Sequence, residues 1–99
     1  MHARVSSYLS PPEQVTDAAV DNMNGNILPR VLEMDGNRGA IFLLDRDTGK
    51  TMTITLWDSE EAMRSSEEKA NQLRGDTAQT TSASVGNVER FEVPSIELR

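Results

Sequence analysis

Cysteine is absent from the 99 residues and histidine occurs once, as His2. That inventory builds no disulfide framework, no thiolate nucleophile and no Cys/His zinc site. Carboxylates are plentiful but fall into no metal-binding motif, so no metal centre and no cofactor are expected. Basic residues are also scarce, with 10 Lys and Arg against 16 Asp and Glu for a formal charge of −6. They are scattered instead of clustered, which excludes a phosphate-neutralising surface for nucleic acid or an anionic membrane. No apolar run approaches the roughly 20 residues of a membrane span. The first residues lack the basic-then-apolar pattern of a signal peptide, so the expected location is cytoplasmic. Only 36% of the chain is hydrophobic, a low share for one modest core, which hints that a partner chain completes it. One domain is expected over residues 1–94, with a tail at 95–99.

What the chain does contain is alternation. Thr51 to Trp57 alternates strictly, placing Met52, Ile54 and Leu56 on one face of a strand and Thr51, Thr53, Thr55 and Trp57 on the other. The first set reads as a core face. The second, three hydroxyls and the sole tryptophan, is too polar for a packed core and too aromatic for an ordinary wetted surface, so it is a candidate cavity wall. Asp58 or Ser59 can cap the helix that follows, and Asp58 with Glu61 has capping-box spacing.

Ala3 to Leu9 reads as a first strand, with Arg4, Ser6 and Tyr8 opposed to Ala3, Val5, Ser7 and Leu9. Ser10-Pro11-Pro12-Glu13 reads as a helix start, followed by an apolar stripe of Val15, Ala18, Ala19 and Met23. Asn24-Gly25-Asn26 interrupts the stripe and Pro29 removes a backbone donor, so Ile27 to Leu32 is expected beyond a bend. Arg38 to Asp45 forms the second strand. Its centre, Ala40-Ile41-Phe42-Leu43-Leu44, is continuously apolar, which implies burial on both faces. Two helices cover only one, so the other face is expected to meet a second subunit in a homodimer. Asp45 to Lys50 is a hairpin turn into the Thr51 strand.

The helix from Ser59 to about Arg74 places Ala62, Met63, Ser66, Ala70 and Leu73 inward, and Gly75 ends it. Its acidic first turns read as a solvated face beside a favourable dipole. Asp76 to Ser84 is small and polar and reads as a loop. Val85 to Val93 is the fourth strand, Pro94 breaks it, and the tail is either a short edge strand or a frayed end.

The order strand, helix, strand, strand, helix, strand is α+β and ferredoxin-like: a four-stranded antiparallel sheet with two helices on one face. On that order, Trp57-Asp58-Ser59-Glu60-Glu61-Ala62 resembles the Trp-x-Ser-x-Glu-Ala signature of the dimeric α+β barrel superfamily, particularly its antibiotic biosynthesis monooxygenase-like domains. Ile27-Leu28-Pro29 with the Gly36 to Gly39 turn resembles the family's leucine-proline bend, and Val88 to Val93 its last strand. The resemblance implies two sheets packed into a barrel with a pocket in each subunit. It also implies either cofactor-independent oxygenation of quinols and aromatic polyketides or haem degradation. The tryptophan is kept, whereas the family's strand asparagines meet Ser6 or Ser7 and Thr53. The haem-ligand histidine meets Ser66, and serine supplies no imidazole to iron.

Trp57 therefore has two readings. It plugs the end of a small barrel, or it stacks an electron-rich aromatic that hydroxyls orient. In the second reading the catalytic candidates are Trp57, Tyr8 and Arg4. Arg4 stabilises a substrate anion, and Tyr8 or Glu89 assists proton transfer. Thr53, Thr55, Phe42 and Met63 are the candidate substrate-binding residues. The functional expectation is a cofactor-independent monooxygenase of a small aromatic, and its alternative is a non-catalytic ligand-binding or stress-responsive dimer.

Overall fold

The computed structural model describes residues 1–99. Four strands, β1 (His2–Leu9), β2 (Asn37–Leu44), β3 (Lys50–Trp57) and β4 (Ser84–Glu92), form one antiparallel sheet in the order β2-β3-β1-β4. The first and last strands in sequence sit side by side with β1 central, which is the ferredoxin-like arrangement. β1 and β3 run in unbroken register from His2 opposite Trp57 to Leu9 opposite Lys50. Facing pairs share a side of the sheet, so Arg4 stands beside Thr55 and Ser6 beside Thr53.

The helix layer consists of α1 (Asp17–Asn22), a π-helical turn (Met23–Ile27), α2 (Leu28–Leu32), α3 (Glu60–Ser65) and α4 (Glu67–Thr80). The expected bend is thus a π turn, in which the Leu28 N–H reaches the Met23 carbonyl. Pro29, five residues on from Asn24 and four from Gly25, has no N–H to offer either carbonyl, so the ladder widens here and the chain stays helical.

Three expectations are corrected. Ser10 does not cap the first helix, because its hydroxyl and its N–H both donate to the Gly49 carbonyl (2.9 and 3.0 Å). A single 3₁₀ turn covers Pro12–Gln14 instead, and α1 starts at Asp17 with Thr16 as its cap, accepting from the Ala19 N–H at 3.2 Å. Gly75 does not end the last helix. α4 runs on to Thr80 because Thr77 and Ala78 are buried and the Thr77 hydroxyl donates to the Leu73 carbonyl, so packing overrides local propensity. The helix is instead divided earlier, at Ser66, whose hydroxyl donates to the Met63 carbonyl at 2.7 Å.

Two glycines are demanded by close approach. Gly49 has φ +81° and a Cβ there would lie 2.0 Å from the Ser10 carbonyl oxygen. Gly36, at φ +77°, lies against the Ala62 methyl of α3, where a Cβ would come within 2.5 Å. Ser59 caps α3 by accepting from the Ala62 N–H at 3.1 Å, and Asp58 pairs with Arg38 across the surface.

The helices cover the Thr53/Thr55/Trp57 side of β3, so Met52, Ile54 and Leu56, read from the sequence as the core face, lie on the opposite side. That opposite side is uncovered in the single chain, with Ile41 and Leu43 on β2 and Phe91 on β4 all close to half exposed. No helix is long and apolar enough to cross a membrane.

Candidate functional site

Beneath the helices lies a cavity whose floor is β1 and β3 and whose roof is α2 and α4. The floor supplies Arg4, Ser6 and Tyr8 from β1 and Thr53, Thr55 and Trp57 from β3, all at alternate positions. The roof supplies Ile27, Leu28, Val31 and Met34, then Ala70, Leu73, Arg74 and Thr77. Strict alternation in the floor and four-residue spacing in the roof aim these side chains at one point. The cavity holds about 30 Å³ of free space, roughly one or two water molecules.

Trp57 is fully buried and its Nε1–H donates to the Thr55 hydroxyl at 3.0 Å. Arg4 lies over the indole with its guanidinium carbon 5.4 Å from the ring centroid, within cation–π range. Its Nη2 donates to the Met63 carbonyl at 2.6 Å and to the Ser66 hydroxyl at 3.0 Å, and its Nε donates to Glu67. The break between α3 and α4 is therefore the socket for a buried arginine. Ser66 occupies the position where the family resemblance puts a haem-ligating histidine, and here its hydroxyl is committed to Arg4 and Met63.

Glu67 gathers three guanidinium groups. Arg90 of β4 binds it with both Nε (2.7 Å) and Nη2 (2.9 Å), Arg4 approaches to 3.0 Å and Arg74 to 3.9 Å. The Arg90 hydrogen bonds, with those of Arg4 behind them, hold the Glu67 carboxyl down at about 2 against the opposing effect of burial. Burial raises the Tyr8 phenol above its ordinary value, with the hydroxyls of Thr53 and Thr77 pulling the other way. Tyr8 is thus a proton-bearing donor at neutral pH and no base.

Of the residues singled out from the sequence, Arg4, Tyr8, Trp57, Thr53 and Thr55 are brought together in this cavity. Phe42 and Met63 are not among its lining residues. Phe42 is half-buried on the β2 flank, and Met63, although buried, reaches the site through its carbonyl on Arg4. Glu89 stands opposite Val5, on the far side of the sheet from the cavity, and has no access to it.

Arg74 and Thr77 were not singled out. Arg74 lies one position after the inward Leu73 and four after Ala70, which is the signal that would have found it. Its side chain is 12% exposed, its Nη2 donates to Asn71 at 3.4 Å, and its Nη1 is buried with no acceptor. A charged donor left so costs on the order of 1–3 kcal/mol or more. The lining contains no carboxylate and no imidazole. No group of three or more His, Asp or Glu side chains is arranged to hold a metal.

No family model matches the chain. It is 29% identical over 93 residues to the uncharacterized protein Rv2558 of Mycobacterium tuberculosis, a match covering 94% of this chain and 39% of that one. The chain thus spans well under half the length of the curated relatives it matches. Among solved structures it is similar to the ActVA-Orf6 monooxygenase of Streptomyces coelicolor in complex with nanaomycin D, with a TM-score of 0.71 at 15% identity over 99% of this chain and 91% of that one. SnoaB, a cofactor-independent oxygenase from Streptomyces nogalater, gives 0.65 at 13% over 96% and 94%. A dimeric ferredoxin-like protein from an uncultured marine organism gives 0.65 at 12%, over the whole of both chains. At these identities the likeness establishes the fold alone, the ferredoxin-like one that this chain shares with these structures.

Proposed function

We propose that the chain is a small cytoplasmic homodimer that oxygenates a quinol-like or polyketide-like aromatic without a cofactor. The observation that carries this reading is the convergence, in one cavity, of a fully buried indole, a guanidinium stacked on it and the hydroxyls of Tyr8, Thr53 and Thr55. Similarity in fold to two bacterial oxygenases supports it.

In such a reaction the substrate supplies the electrons. A ring methylene flanked by phenol rings becomes a ketone, one oxygen atom of O₂ enters the product, the other leaves as water, and four electrons pass from carbon to oxygen. The protein's share is to stack the ring on Trp57, to hold its oxygens with Tyr8 and the threonines, and to keep water out. Tyr8, kept protonated by burial, donates to an oxyanion and supplies a proton as the peroxidic oxygen leaves.

The test is oxygen uptake with a panel of quinols and anthrones. Uptake with some member, lowered in a Trp57→Phe protein that still folds, is expected, and no turnover across the panel would end the proposal. A second reading, a non-catalytic dimer whose interior Trp57 plugs, is favoured by the 30 Å³ of free space, too little for a ring unless the roof moves. It predicts no oxygen consumed with any member of the panel. Haem is expected to show no tight one-to-one Soret titration, since Ser66 offers no imidazole.

A further inference from the structure

We infer that Met34 is the gate of the cavity, and that its side chain decides the size of ring that passes between the cavity and the outer surface. This deepens the proposal above and rests on the cavity being the ligand site. The free space beside Trp57 is about 30 Å³, but two larger depressions, of about 180 and 340 Å³, lie in the trough that α2 and the turn after it form with α3 and α4. Met34 lines all three spaces, and no other residue does. Its side chain is therefore the partition between the inner space and the outer ones, and when it turns aside the cavity joins the trough.

Residue type and backbone fit that role. Met34 lies in the turn between α2 and β2, and its backbone is pinned on both sides: its N–H donates to the Val31 carbonyl and its carbonyl accepts from the Asn37 N–H, both at 3.1 Å. The moving part is then the side chain, a flexible, unbranched thioether. It is half-buried, whereas Met23 and Met63 are packed at 0% and 2% exposure. Outside it the trough carries both signs of charge, Arg30 and Lys69 against Glu33 and Asp35, so a ligand of neither sign is repelled on approach. Across the same margin α2 is tied to α4 by the Arg30–Asp76 pair, whose side chains are 44% and 45% exposed and which adds little to holding the roof shut. The trough lies on the helix side of the sheet, so the proposed homodimer, which covers the other side, leaves it open.

The test is quenching of Trp57, the only tryptophan, by two neutral quenchers of different size, acrylamide and the ring compound succinimide. In the wild type acrylamide should quench better than succinimide. Met34→Ala should raise the succinimide constant about threefold and narrow the gap, because the truncated side chain leaves a passage. Met34→Phe, bulkier and stiffer, should lower it. Leu28→Ala, which borders the cavity but neither depression, should leave it near the wild-type value. Because the chain has no cysteine, Met34→Cys offers a single thiol. A bulky methanethiosulfonate placed on that thiol should cut quenching and dithiothreitol should restore it, which a merely loosened fold would not do. Should Met34→Ala fail to fold by circular dichroism, this reversible block decides.

Equal access of the two quenchers in the wild type, an unchanged succinimide constant in Met34→Ala, a larger rise in Leu28→Ala, or a thiol cap without effect would each overturn the inference. The measurement needs no ligand, no oxygen and no turnover. An inactive quinol panel with the size response intact therefore removes only the oxygenase, and turnover with unchanged quenching removes only the gate.

Discussion

The helix-covered face of the sheet carries Arg4, Ser6, Tyr8, Thr53, Thr55 and Trp57, while the open face carries Val5, Ile41, Leu43, Ile54, Leu56 and Phe91. In a single chain this inverts the ordinary distribution, because the polar face is inside and the aliphatic one meets water. Arg4 is 2% exposed and Phe91 47%. The buried polar face is tolerable because its groups satisfy one another: Trp57 to Thr55, and Arg4 to Met63, Ser66 and Glu67. The open face has no such internal remedy. The proposed homodimer covers it, and under that proposal the two faces have different work, the inner one for a ligand and the outer one for assembly.

Mutations that separate the two faces sharpen this division. Trp57→Ala, on the inner face, should have the largest effect, about 3–5 kcal/mol in urea unfolding, from lost burial and an uncollapsed void. Leu43→Asp, on the outer face, should turn dimers into monomers in sedimentation experiments. Where protein is at about 100 times the dissociation constant, its apparent stability should fall by about 2–3 kcal/mol. Each subunit's cavity should stay formed, as read by an unchanged Trp57 emission maximum. A Leu43→Asp protein that sediments as a dimer would break the division.

The ion cluster gives a pH arm. Glu67 titrates lower in the folded chain, at about 2, than its ordinary 4.5. Its contribution is therefore complete above about pH 4.5 and is lost as pH falls from there toward 2. For a carboxylate about one-third exposed this is about 1–2 kcal/mol after screening. Glu67→Gln should be less stable at pH 7 and lack that acid limb in its stability profile. Thr53→Val should change least. Removing one hydroxyl from the cavity should weaken phenolic ligands by about 1 kcal/mol, roughly fivefold, and leave sedimentation unchanged.

The element order is readable from the residues because alternation and capping are local signals, whereas the burial of both β2 faces expected from its apolar run is not met within the single chain, where Ile41 and Leu43 are close to half exposed. Which side of β3 the helices take was not readable. Alternation separates Met52, Ile54 and Leu56 from the threonines, but only the chain path decides which set is roofed, and here the more polar set is. The sequence stops α4 short at Gly75 for a similar reason, since glycine and threonine are poor helix formers until Thr77 and Ala78 find a buried place. The spacing of Arg74 from Ala70 puts it at the edge of the inward stripe, but an arginine there looks like any solvated helix charge. Only the fold shows that α4 lays it over the cavity, next to Glu67.

The π turn carries a last consequence. Ala19, Met23, Ile27 and Val31 are all buried and recur at intervals of four. On an unbroken α-helix of 3.6 residues per turn, a repeat of four drifts by about 40° each time, so Val31 would stand some 120° around from Ala19. The wider turn from Met23 to Ile27 winds that drift back. The helical run that leads into the roof of the cavity is in this sense a helix with a built-in phase correction, and its continuity depends on the residue count between Ala19 and Val31 as much as on their identities.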